Sequence, residues 1–221
     1  LVGLPAFGIH TVSGATMVQV AAAGLSGTLG HIHQHGIQPR LIVTLGGGMA
    51  AGSLLGALAS SHVSARTLAA VFASLALFAA TVMFLPRSPA ADERTPTPVR
   101  VSARLALGSG ATVGFFVGMV GAGGGFLLLP LMLYVLRVPL RAAVATSLGI
   151  VTVSAIAGSL GKAFTAQVDW FMALALVTGA LPGARLGATI SQRVRTETLS
   201  LILGILISLV AVGMWWEILG E

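Results

Sequence analysis

The sequence predicts an all-α polytopic membrane protein made of two homologous halves. Three observations carry that expectation. Of the 221 residues, 56% are hydrophobic and only 8% are charged, whereas an ordinary globular domain carries roughly 25% charged residues. So little charge cannot cover a surface facing water, but it suits one facing lipid. Apolar runs of spanning length, about 20 residues each, recur along the chain. The chain also repeats itself in one glycine register.

The runs fall at 9–30, 38–60, 66–85, 103–121, 142–163, 169–191 and 197–219. Each is long enough to cross a hydrocarbon core as a helix. An eighth run, 124–136, is short. At 1.5 Å per residue it reaches roughly 20 Å, against a core of about 30 Å. A polar stretch separates the third and fourth runs. It holds Pro86, Pro89, Pro96 and Pro98 with Arg87, Arg94 and Arg100, and such a proline-punctuated segment reads as a solvated linker.

The repeat appears at a shift of 131 positions, the distance from Gly27 to Gly158. In that register Gly30 meets Gly161, and Gly48, Gly52 and Gly56 meet Gly179, Gly183 and Gly187. Ser60 meets Ser191, Thr67-Leu68 meets Thr198-Leu199 and Met83 meets Met214. Chance alignment of apolar runs gives Leu and Ala matches but not five glycine pairs in one register, so the halves read as a duplication. The resulting organisation is a first repeat over 1–85, a cytoplasmic linker over 86–102 and a second repeat over 103–221. The register places the counterpart of 103–130 about 30 positions ahead of Leu1. The expectation is therefore that the N-terminal part of the first repeat is missing.

Orientation follows from the basic residues, which collect on the cytoplasmic side. If the short run returns the chain to its starting side, Arg40, the linker arginines, Arg137, Arg141, Arg193 and Arg195 share one face, with Arg66 and Lys162 on the other. Not counting the short run divides the charges almost evenly. The first arrangement implies an odd number of crossings per half, and hence inverted repeats with broken or short helices. It puts the linker in the cytoplasm and Glu221 outside.

Four motifs are candidates for chemistry. The run GAGGG at 121–125 has four glycines in five residues, each costing about 1 kcal/mol in a helix relative to alanine. It marks a helix break, either at membrane depth or as a tight turn at the surface. A helix beginning near Gly125 would offer free N–H groups and a positive dipole end to an anion; Gly121, Gly123 and Gly124 would shape that turn. Thr146-Ser147 and the matching Ala15-Thr16 place small hydroxyls near helix starts. These could donate to an oxyanion, or simply cap and bond their own turns. The two glycine ladders put small residues on one helix face, which lets another backbone approach closely. Arg185 lies inside an apolar run with Leu181 and Thr189 one turn away, so it either meets an anionic substrate or snorkels to the interface.

Several function classes are excluded or disfavoured. The net charge of +6 is scattered rather than gathered into a stripe, so no nucleic-acid partner is expected. There are no cysteines, hence no thiolate metal site. His31, His33 and His35 alternate, but no carboxylate lies nearby in sequence and Lys162 replaces His31 in the copy, so a loop cluster is expected rather than a metal site. The six acids, including Asp169 beside Trp170, avoid the middle of every run. A relay through a buried carboxylate is not expected. No catalytic set, metal or cofactor is expected; the chain reads as a non-enzyme.

The runs GMVGAGGGFLLLPLML, VATSLGIVTVSAIAGSLGKAF and QVDWFMALALVTGALPGARLGATIS together resemble the sulfite exporter TauE/SafE family, with SGTLGHI and its ladder as the weaker first copy. The resemblance implies a bacterial or archaeal inner-membrane, multi-pass transporter that exports or takes up small sulfur-containing anions, sulfite or an organosulfonate; export is the direction expected here. It maps the glycine-rich loop onto Gly121, Gly123, Gly124 and Gly125 and the Thr-Ser pair onto Thr146 and Ser147. The partners expected are the bilayer and a small anion; the first half departs from the family pattern in reading Ala15-Thr16, and Thr16 and Arg185 are further candidate contacts on the residue reading above. A non-transporting membrane scaffold or accessory subunit is the alternative.

Overall fold

A computed structural model describes residues 8–31, 38–83, 102–136, 138, 140–194 and 196–220. The linker, apart from Ser102, and His33 and His35 lie outside the described residues, as does the side chain of His31. The described residues form helices α1 (Ile9–His31), α2 (Pro39–Ala59), α3 (Ala65–Met83), α4 (Ala103–Val120), α5 (Gly125–Pro130), α6 (Leu140–Phe164), α7 (Trp170–Arg193) and α8 (Thr196–Gly220). All except α5 answer to the expected long runs. Six are long and apolar enough to cross a membrane, and α8 adds a described apolar stretch at Gly204–Trp216. The short run becomes α5 and a π-helical turn at Leu131–Val135.

Local chemistry sets the ends. Pro39 opens α2, where its missing N–H costs nothing. Ser102 caps α4 by accepting from Leu105 N at 3.3 Å. Asp169 caps α7 by accepting from Met172 N at 3.0 Å, the helix-starting role its sequence position implied.

The halves are inverted in space. Gly27 packs against Leu148, and its image Gly158 packs against Met17, the image of Leu148. The repeat shift therefore exchanges the two contacts, and α1 and α6 run antiparallel across the pseudo-two-fold axis. By contrast α2, α4 and α6 are parallel. Gly110, Gly114 and Gly118 meet Leu45, Met49 and Ser53 in turn, while Ile150 lies by Gly46 and Gly161 by Ala57. Since α4 and α6 point the same way, the segment between them must bring the chain back, as the charge distribution required. Tyr134 marks the return: its hydroxyl donates to Met83 O at the end of α3, 3.2 Å away.

The tightest packing is between α2 and α4. A Cβ added at Gly48, Gly52 or Gly56 would strike the carbonyl oxygen of Leu107, Ala111 or Phe115. Without a hydrophobic force between helices in lipid, such close approach supplies the van der Waals contact that holds them. Met17, Leu45, Met49, Leu128, Met132 and Ile150 fill the centre where α1, α2, α5 and α6 meet.

Candidate functional site

The glycine run ends α4 and turns the chain inward. Gly121, Gly123 and Gly124 have φ of 82°, 71° and 77°, a left-handed conformation that side chains with a Cβ resist. Gly121 lies against Ser13, Gly123 against Val20 and Gly124 against Met49 and Val117. Val20 is the middle residue of α1 and Met49 that of α2. The turn therefore sits at membrane depth, not at the surface, where irregular backbone is tolerated against protein or a cavity. Gly125 begins α5 with open space around it.

A cavity of about 180 Å³ lies beside this turn, lined by Ser13 and Thr16 of α1, Phe72 of α3, and Gly121 and Ala122 among others. Phe72 meets Phe126 edge-on with ring centroids 5.5 Å apart, which walls the cavity toward α5. Ser13 donates to Val120 O at 2.7 Å, satisfying the last turn of α4. Thr16, which also lines the cavity, donates to Val12 O of its own helix at 2.7 Å. Two sequence-predicted residues, Thr16 and Gly121, thus share one wall.

Thr146 and Ser147 are placed elsewhere. Both are buried, but they lie near the start of α6. Thr146 Oγ1 accepts from Gln38 N at 3.2 Å, and Ser147 donates to Val144 O at 2.9 Å. Ser154, two turns further along α6, donates to Met49 O at 3.4 Å and so marks the level of Gly124. The Thr-Ser pair is therefore displaced by roughly 12 Å along the helix axis from that level. Arg185 is exposed and lines neither this cavity nor a second one of about 320 Å³. That second cavity, between α1, α6 and α7, is bordered by Arg185's neighbours Ala184, Gly187 and Ala188.

Sequence reasoning placed Lys162 among the charges of the far face and missed its burial. The residue is 0% exposed. Its Nζ donates to Ser60 Oγ at 2.7 Å, to Gln167 Oε1 at 3.0 Å and to Met119 O at 3.2 Å. All three ammonium protons are thereby used, and every partner is neutral. The C-terminal ends of α2, α4 and α6 converge here, and their dipoles favour a cation. The only sequence signal was one lysine just inside the end of an apolar run. Ser13 and Ser53 were also missed; the buried Ser53 hydroxyl has no hydrogen-bond partner among the described residues. Among the described residues no cluster of metal-ligating side chains forms.

The family model for sulfite exporter TauE/SafE matches residues 1–214. The probable membrane transporter protein YunE of Bacillus subtilis (strain 168) is 29% identical over 220 residues, covering 92% of this chain and 80% of the relative. A probable membrane transporter protein of Xylella fastidiosa (strain 9a5c) is 26% identical over 214 residues, covering 94% and 80%. No solved structure matches the chain significantly. With the family model spanning nearly its whole length, this multi-pass membrane protein belongs to the sulfite exporter TauE/SafE family.

Proposed function

We propose that the chain is a secondary transporter of small sulfur-containing anions, sulfite or an organosulfonate, working as an exporter in a bacterial or archaeal plasma membrane. Family membership makes it a membrane transporter; the cargo, the direction and the residues in contact are what we add. The observation that carries the reading is the left-handed glycine turn at membrane depth beside a cavity walled by Ser13, Thr16 and Gly121. Backbone N–H groups at Gly123, Gly124 and Gly125 would replace part of the anion's water shell without adding a fixed charge, so the anion could leave as readily as it enters. Thr146 and Ser147 lie nearer the start of α6, toward one membrane face, and would meet the anion at a separate step. Arg185, beside the second cavity, would add positive potential. Alternating access would come from one inverted half rocking against the other. No catalytic step is assigned to any residue.

The test is flux in proteoliposomes with sulfite, sulfate, a short sulfonate and chloride in parallel. Selective movement of sulfite or the sulfonate is expected, with at least a tenfold loss in Gly124→Val and in Thr146→Val protein that remains monodisperse. Equal rates for all four anions, or unchanged flux in both variants, would sink the reading.

A further inference from the structure

Among the described residues, Lys162 is the only charged side chain that is buried. Its partners fix its charge. Met119 O and Gln167 Oε1 can only accept. The Gln167 amide is held that way round because its Nε2 donates to Thr165 Oγ1 at 2.7 Å. Ser60 sends its own proton to Ala57 O at 2.6 Å, so toward Lys162 it accepts as well. Three acceptors require three N–H groups, and Lys162 is therefore an ammonium. No partner is a carboxylate, so no full negative charge cancels it.

This charge stands one peptide behind the cavity of about 180 Å³. Met119 O takes a proton from Lys162, and the next carbonyl, Val120 O, takes one from Ser13. Val120 and Ser13 both line the cavity. An anion beyond that wall lies on the order of 12 Å from Nζ, where one unit charge at an effective dielectric of about 20 changes its occupancy about tenfold. The helix ends act in the opposite sense. With α2, α4 and α6 all finishing beside Lys162, the partial negative charge of their C-termini would by itself repel an anion from the cavity.

We propose that Lys162 determines the anion selectivity of this cavity, acting through its field and not by contact. It offsets the negative helix ends and leaves a site that a small sulfur anion can enter. Its neutral partners hold the ammonium in place without neutralising it. The inference rests on the transport reading above and deepens it, by assigning the charge that the glycine turn and the hydroxyls of Ser13 and Thr16 lack.

The test is inhibition of sulfite flux in proteoliposomes at neutral pH by methanesulfonate, which is monovalent, and by methanedisulfonate, which is divalent. Lys162→Gln drops the charge but keeps N–H donors for the network. Ser60→Asp keeps the lysine and cancels its charge with a carboxylate. In both variants the half-inhibitory concentration is expected to rise about tenfold for methanesulfonate and about a hundredfold for methanedisulfonate, because the field acts on each charge. Should Lys162→Gln not remain monodisperse, Ser60→Asp decides alone. A network that only braces the helix ends would shift both inhibitors by one common factor, and that result would overturn the proposal. So would unchanged inhibition. Wild-type protein that moves no sulfur anion overturns the transport reading and this inference with it. Wild-type flux with unshifted or equally shifted inhibition in the variants overturns the inference alone.

Discussion

Lys162 shows how a charge is kept inside an apolar protein with no counter-ion among the described residues. Three neutral oxygens take its protons, and three helix ends supply partial negative charge. Lys162→Met would leave those acceptors without their donor. Hydrogen bonds to a charged group contribute about 1.5–3 kcal/mol, so a loss on the order of 2 kcal/mol is expected in denaturant unfolding in detergent. An unchanged midpoint would mean that the network contributes nothing to stability. The glycine run offers a sharper contrast between neighbours. Gly123 is left-handed and tight against Val20, while Gly125 has ordinary φ and open space. Gly123→Ala should cost about 1–2 kcal/mol from backbone strain alone, more with the clash. Gly125→Ala should stay within about 0.5 kcal/mol. Similar losses for both would show that the turn tolerates no side chain anywhere, contrary to the observed geometry.

At the scale of elements, the ladders predict opposite responses to the same substitution. Gly52→Leu drives a side chain into the Ala111 carbonyl and must part α2 from α4. That variant is expected to aggregate or lose its cooperative unfolding. At Gly183 a Cβ would meet none of the described residues, and Gly183→Leu replaces a poor helix former, so its stability should be unchanged or raised by up to about 1 kcal/mol. Size-exclusion profiles and unfolding midpoints of the two proteins decide the matter. The spacing of four residues was legible in both ladders. Which one was buried was not, because the sequence of a helix face does not name the helix that covers it.

For the molecule as a whole, the parallel run of α2, α4 and α6 against α1 makes opposite ends of α2 face opposite sides of the membrane. Arg40 near its start and Ser61 just past its end are both exposed. With the basic residues cytoplasmic, an impermeant maleimide should label Ser61→Cys in intact cells and Arg40→Cys only after lysis. The reverse pattern would invert the assigned orientation. Labelling of both in intact cells would contradict a spanning α2.

The sequence alone determined that the chain is helical, that it lives in lipid, that it is duplicated and that a helix breaks at Gly121–Gly125. Each of these is a property of composition or period, which neighbouring residues carry by themselves. The helix start at Asp169 was local too, since a cap reaches only its own first turn. Only the tertiary structure decided that the break lies level with Val20 and Met49, that Thr16 joins Gly121 at a cavity while Thr146 does not, and that Lys162 is buried. Those outcomes depend on where four separate helices end relative to one another. That depth is set by backbone packing across the glycine ladders, between residues about 60 positions or more apart in the chain.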